Sequence, residues 1–287
     1  MSATPAPTAT RTPSVVSLSW LAGGGEVPPL PSPFAPRLDD SGLQAVVGAA
    51  LAGREGSYSV VVQNLADGRY AALNDAKIYY AASLYKLELL LEAYRQRDAA
   101  ELDFTRLLTL EKKYVEYDLG TLESLGLKEG DMITVADALR AMIVVSDTPT
   151  AVMMHDVLGP LRVDATLQSL GITETESANH DLPATARDMA RLLGAVAVGE
   201  GVSEASRLEM LSLLLRETYA EGVRAGVPTG ALVAHKTGSY NNATHDVALV
   251  WGPDGPYIIA VMTDRSYDWN AIRGVSEAVW AYFAASP

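Results

Sequence analysis

The sequence predicts an α+β fold in which the two ends of the chain build one antiparallel sheet and a helical lobe is inserted between them. Three observations lead there. Strand-like segments cluster at residues 57–80 and 231–262, the region between them carries helical periodicity and caps, and a further helical segment follows the second strand group. Segments 57–64, 69–73 and 77–80 are rich in Val, Tyr and Ile, with a turn at Asp67-Gly68. Segments 231–235, 246–251 and 257–262 read the same way. The last two are joined by Gly252-Pro253-Asp254-Gly255, a strong hairpin signal.

Between these groups, residues 84–97 contain no Gly or Pro and are mostly Leu, Glu, Ala, Lys and Arg, all good helix formers. Leu87, Leu90, Leu91 and Tyr94 form an apolar stripe, with Glu88, Glu92 and Arg95 opposite. That pattern predicts an amphipathic helix with one charged face. Thr134 is expected to cap a helix to about residue 145, and Thr148 the next one, with Pro149 at its first position. Thr185-Ala186-Arg187-Asp188 resembles a capping box with Asp in the Glu position. A helix follows Ser203, and another spans roughly residues 270–284.

Composition bounds the rest. The 287 residues are 48% apolar, enough for one large core. Eight of the fifteen prolines lie between Pro5 and Pro36, so residues 1–40 are expected to be a flexible Pro/Thr/Ala-rich tether. Residues 41–287 then form one domain, with the sheet from about 41–82 and 226–287 and the helical lobe from about 83–225. A net charge of −13 argues against a nucleic-acid partner, because phosphate binding needs clustered cations. No run approaches the ~18 apolar residues of a membrane span, and no export signal is visible. The absence of cysteine excludes thiol catalysis and thiolate metal sites. Four histidines without an HExxH pair make a zinc hydrolase an unsuitable reading. No GxSxG elbow and no GxxxxGK[ST] loop occurs.

Three short constellations carry chemistry. Ser83 and Lys86, three residues apart, are neighbours on a helix surface beside the apolar stripe. Lost hydration and the positive end of the helix dipole both disfavour an ammonium there, so the amine is a candidate base for a serine nucleophile. Alone, the stretch also fits a snorkelling lysine and a capping serine. Ser146-Asp147-Thr148 puts a hydroxyl and a carboxylate in the bend between two helices, which any cap region can also do. Lys236-Thr237-Gly238 lies at the end of the 231–235 strand. A cation, a hydroxyl and an approachable backbone make an anion-recognition edge there; an edge-strand lysine resisting aggregation is the alternative.

Taken together and in this order, Ser83-x-x-Lys86, Ser146-Asp147-Thr148 and Lys236-Thr237-Gly238 resemble the motifs of the class A β-lactamase superfamily of penicillin-recognising serine hydrolases. The resemblance covers nearly everything after residue 40. It implies a β-lactamase/transpeptidase-like fold: a lobe with a five-stranded antiparallel sheet flanked by terminal helices, plus an all-α lobe. It further implies Ser83 as nucleophile, Lys86 as its base, and Ser146 relaying a proton to the leaving nitrogen. Lys236 and Thr237 would hold a substrate carboxylate. The backbone N–H groups of Ser83 and Ser239 would form an oxyanion hole worth roughly 3 kcal/mol per donor. No cofactor or metal is implied. The expected partner is a β-lactam or a D-Ala-D-Ala-like peptide, met by an extracytoplasmic monomer.

The chain also departs from that family. The family's water-activating glutamate precedes an asparagine by four residues. Here Glu176 precedes Asn179 by three and Glu174 by five, in a loop about a dozen residues shorter than usual. Either glutamate, or His180, is a candidate base. Thr148 stands where asparagine is common, and Val152 where another asparagine steadies that glutamate. His245, nine residues after Lys236, takes the place of a common arginine for the substrate carboxylate. Lost general-base assistance is worth ~10²–10⁴-fold. Three readings follow: a β-lactamase with slow deacylation, a DD-peptidase, or a penicillin-binding sensor that stays acylated.

Overall fold

Alternation along the long strands decides what each face of the sheet meets. The computed structural model describes residues 13–21, 26–32 and 34–285. It begins with β1 (Leu38–Asp39), α1 (Ser41–Leu51), β2 (Tyr58–Asn64), β3 (Arg69–Leu73) and β4 (Tyr79–Tyr80). The helical lobe holds α2 (Tyr85–Asp98), β5 (Leu107–Thr109), α3 (Lys112–Val115), α4 (Thr121–Leu125) and β6 (Met132–Thr134). It continues through α5 (Val135–Val144), α6 (Thr148–Leu158), α7 (Pro160–Ser169), β7 (Pro183–Ala184), α8 (Ala186–Val198) and α9 (Glu204–Leu214). Then β8 (Val233–Tyr240), β9 (Ala243–Gly252), β10 (Gly255–Thr263) and α10 (Trp269–Ala284) return to the sheet.

The main sheet has the order β1-β3-β2-β10-β9-β8. The five long strands pair antiparallel, as expected, and the two-residue β1 adds a parallel edge beside β3. Val60, Val62, Ala248, Val250, Ile259 and Val261 face the terminal helices α1 and α10, where Ile272, Val275 and Phe283 meet them. Val61, Val247, Leu249, Ile258, Ala260 and Met262 face the other way, into the larger core shared with the helical lobe. Successive residues of one strand therefore serve two layers, which requires both parities to be apolar. The Gly252-to-Gly255 hairpin forms as read, with those two glycines paired. At Gly68, φ is 84° and an added Cβ would lie 1.9 Å from the Pro36 carbonyl oxygen, so the β2–β3 turn admits only glycine.

Several expectations need correction. Tyr79–Tyr80 does not join the main sheet but pairs with Pro183–Ala184. The cap of α6 is Asp147, whose carboxylate accepts from Thr150 N, so Thr148 is already the first helical residue. A carboxylate reaches the free N–H groups of a first turn better from one position earlier. The charged face of α2 does not face water: Glu88 and Glu92 are buried with the leucines, because the helix runs through the middle of the lobe. Glu92 accepts from Thr166 Oγ1 at 2.6 Å and Gln96 Nε2 at 2.7 Å. Burial pushes the Glu88 carboxyl well above the usual carboxylate range.

The tether expectation also needs correction where residues 1–40 are described. Leu18 and Leu21 are buried in the main core. Val16 N donates to Met132 O and Met132 N to Ser14 O, docking this segment on β6. Widely spaced apolar residues among prolines were enough to anchor it. Residues 1–12, 22–25 and 33 lie outside the described residues. Among the described residues, no helix is long and apolar enough to cross a membrane.

Candidate active site

Ser83 sits in a single 3₁₀ turn, Ala82–Leu84, leading into α2. Ala82 is held at φ 46°, a conformation that costs a non-glycine residue roughly 1 kcal/mol or more and recurs at functional sites. One turn on, Lys86 is completely buried. Its Nζ lies 3.0 Å from Ser83 Oγ, 2.6 Å from Ser146 O and 3.2 Å from Ser146 Oγ. Ser146 is itself strained, with φ 56°, and that backbone turns both its carbonyl and its hydroxyl toward the amine.

Burial pushes the Lys86 amine well below the usual lysine range, and the Lys236 ammonium pushes the same way. Asp147 and Glu217 oppose them. A neutral amine has two N–H donors and one lone pair. The three contacts suit that inventory: Ser146 O and Oγ accept, and the lone pair faces the Ser83 hydroxyl.

Strand β8 forms the facing wall. It runs on through Lys236, Thr237, Gly238 and Ser239, in register with Val247, Asp246, His245 and Thr244 of β9. The motif is thus inside the strand, two to four residues before its end, because β8 reaches Tyr240 and not residue 235. A Cβ at Gly238 would come 3.0 Å from Ala81 O and 3.2 Å from Leu84 N, the pair that closes the Ser83 turn. Glycine therefore sets how closely the strand approaches the serine. Gly238→Ala is expected to displace the turn and lower acylation of Ser83 by roughly 10²-fold. The check is the second-order acylation rate alongside Tm; an unchanged rate would contradict it.

Ser83, Ser146, Thr148, Thr237 and Ser239 line one cavity of about 340 Å³. That is within the range of small-molecule sites. Sequence reasoning missed its other walls: Leu119 and Thr121 from the helical lobe, Tyr219 and Glu221 from the loop after α9, and Tyr267 and Trp269 before and at the start of α10. Exposed aromatics in loops are the signal that was available. Tyr267 is 70% exposed. The Ser239 hydroxyl oxygen is buried without a partner in the protein.

The remaining candidates lie elsewhere. Glu174 and Glu176 are exposed, while Thr175 and Ser177 between and after them are buried. Exposed and buried residues alternate along 174–177. Thr175 Oγ1 and Ser177 N are anchored inward on Asp188 and Asp164. Glu176 accepts from Asn179 Nδ2. Neither glutamate lines the cavity of Ser83, and nor does His180. His180, Asn179 and Val152 border a separate cavity of about 350 Å³. Their assignment as bases at Ser83 is corrected accordingly.

His245 is also corrected as a substrate ligand. It is fully buried, its Nε2 2.8 Å from Tyr80 O and its Nδ1 accepting from Thr263 N. Burial pushes its pKa down to about 4, so it carries no charge for a carboxylate.

Lys236 is not on the cavity wall. It is buried behind it and ion-paired with Glu217, a residue that sequence reasoning did not single out. Glu217 also accepts from Thr237 N at 2.9 Å and Thr237 Oγ1 at 2.6 Å. Arg224 braces this loop by donating to the carbonyls of Glu217, Leu215 and Val233.

Comparison with known proteins agrees with this geometry. The model of the beta-lactamase enzyme family matches residues 41–283. A beta-lactamase of Amycolatopsis lactamdurans is 32% identical over 149 residues, 46% of this chain and 49% of that protein. The chain thus spans about half the length of the curated relatives it matches. The solved structure of PBP-A superposes with a TM-score of 0.81 at 25% identity, covering 87% of this chain and 98% of that one. A single-residue variant of PBP-A is known as an acyl-enzyme complex with penicillin G. A beta-lactamase from Sphaerobacter thermophilus superposes with a TM-score of 0.78 at 26% identity, over 87% of this chain and all of the other. The β-lactamase-like fold expected from the motifs is therefore present. With a family model matching from α1 into α10 and the three motifs gathered around one cavity, the chain belongs to the beta-lactamase enzyme family.

Proposed function

We propose that this protein is an active-site-serine hydrolase that forms an acyl-enzyme with β-lactams through Ser83 and releases it slowly. The observation that carries the proposal is the buried Lys86 amine, depressed in basicity and 3.0 Å from the Ser83 hydroxyl. In the first step Lys86 Nζ takes the Ser83 proton as Oγ bonds to the lactam carbonyl carbon. Collapse of the tetrahedral intermediate breaks the C–N bond. The proton reaches the departing nitrogen through Ser146 Oγ, which lies 3.2 Å from Lys86 Nζ. The N–H groups of Ser83 and Ser239 serve the oxyanion. β-Lactams and peptidoglycan are met outside the cytoplasm, so we place the protein there, acting as a monomer whose pocket is built from one chain.

Slow release follows from the loop. The second half of hydrolysis needs a base on a water beside the ester, and neither Glu174 nor Glu176 lines the cavity that holds Ser83. The same feature favours a second reading, a peptidase that forms the ester from D-Ala-D-Ala peptides. Free D-alanine released from a stem peptide would identify it.

The test is rapid-mixing hydrolysis of a chromogenic β-lactam. A stoichiometric burst followed by a much slower linear phase is expected, and a steady rate without burst would contradict slow release. Glu174→Gln and Glu176→Gln are each expected to leave the slow phase within about 2-fold. A fall of ~10²-fold or more in either, the worth of a general base, would return that glutamate to the mechanism.

A further inference from the structure

The cavity wall is short of positive charge. Among the described residues that line it there is no lysine, arginine or histidine, and the one charged side chain is Glu221. Lys236, the cation nearest the strand edge in sequence, is committed to Glu217. The Thr237 hydroxyl does line the cavity, but its single proton goes to Glu217 Oε1 at 2.6 Å. It can offer a ligand only lone pairs. His245 is buried against Tyr80 O, on neither side of this exchange. The free donor on this edge is the buried, unpartnered Ser239 hydroxyl.

We propose that Glu217 is a specificity-determining residue: as the permanent counter-ion of Lys236 and acceptor for Thr237, it makes this site nearly indifferent to a carboxylate on the acyl donor. The inference rests on the acylating-serine reading above. A substrate carboxylate entering beside Thr237 must compete with a carboxylate already seated on both groups, in a water-poor setting where that pair is tightly held. Acyl donors are then selected less by charge than by a strand-side group that hydrogen-bonds to Ser239 and an apolar part against Tyr219, Tyr267 and Trp269.

The substitution Glu217→Gln keeps the shape and removes the charge. Its amide oxygen at the Oε1 position can still accept from Thr237 Oγ1 and Lys236 Nζ, and Thr237 O still accepts from Lys236 at 3.0 Å, but no negative charge then faces the ammonium. A ligand carboxylate then becomes the counter-ion that the buried ammonium lacks.

The experiment compares second-order acylation rates for benzylpenicillin and its neutral methyl ester, read by intact mass, in wild type and Glu217→Gln. The wild-type ratio of acid to ester is expected within about 3-fold of unity. The variant's ratio should rise at least ~10-fold toward the acid. A purely structural Glu217 would lower both rates by one factor and leave the ratio unmoved, which would overturn the proposal. If Glu217→Gln fails to fold, the wild-type ratio decides alone, since a preference of ~10-fold or more for the acid contradicts a neutralised Lys236. Acylation by neither probe would remove the underlying reading. A skewed ratio with normal labelling would remove only this inference.

Discussion

Ser83→Ala is expected to show no covalent adduct with any β-lactam and a loss of at least ~10³-fold in hydrolysis, the scale seen when other serine nucleophiles are removed. No second hydroxyl can take over. Ser146 Oγ is 3.2 Å from the same amine, but its backbone is held at φ 56° in the bend between α5 and α6. It lies on the relay side of Lys86. The fold should not suffer, because the change deletes one oxygen and nothing in the core. The measurement is intact mass after incubation with penicillin, with Tm as the control. Retained labelling of the folded variant would remove Ser83 from the mechanism.

Lys86→Ala is expected to slow acylation by ~10²–10⁴-fold while Ser83 stays in place. The stronger signature lies in pH. Only the neutral amine can accept the serine proton. Acylation in the wild type should rise with pH through the lysine's folded pKa and level off above it. Burial and the Lys236 charge depress that pKa well below the usual lysine range, so the rising limb should lie well below the ~10 of an ordinary lysine. In Lys86→Ala the levelling-off should vanish, leaving a low rate that keeps rising in proportion to hydroxide. A wild-type profile still climbing at pH 10 would mean that the amine is an ordinary ammonium and not the base.

The parts of this molecule that could be read in one dimension are those governed by local chemistry. Ser83, in the 3₁₀ turn that leads into α2, and Lys86, in its first turn, are three apart, so their meeting required no knowledge of the rest of the chain. Gly252 and Gly255 fixed a hairpin through two-residue turn geometry, and Thr134, Thr185 and Ser203 cap the helices expected of them. Misreadings arose where long-range packing decides. Glu88 and Glu92 carry the pattern of a solvent face, yet α2 threads the centre of the lobe and encloses them. Glu174 and Glu176 have the right residue type near the right place, but Thr175 Oγ1 and Ser177 N are held inward by Asp188 and Asp164, and neither glutamate lines the cavity. Glu217 had no local signal at all. It matters because the loop after α9 lies against β8, bringing residue 217 onto residues 236 and 237.

The departures share one physical direction. On the proposed reading, the site keeps the groups for making an ester and shows fewer for breaking it: the loop carboxylates do not line the cavity, and Lys236 is ion-paired with Glu217. On that reading acylation and release are separable, because the first would depend on Lys86 and the second on a base that does not line the cavity.

The most direct test of the central claim is time-resolved intact-mass spectrometry of the wild-type protein with benzylpenicillin, followed by proteolysis to locate the adduct. The expected result is one adduct, on the peptide containing Ser83, that forms quickly and persists for many minutes. An adduct that clears within seconds would contradict slow release. An adduct on any other peptide, or none at all without turnover, would contradict the assignment of Ser83 and Lys86.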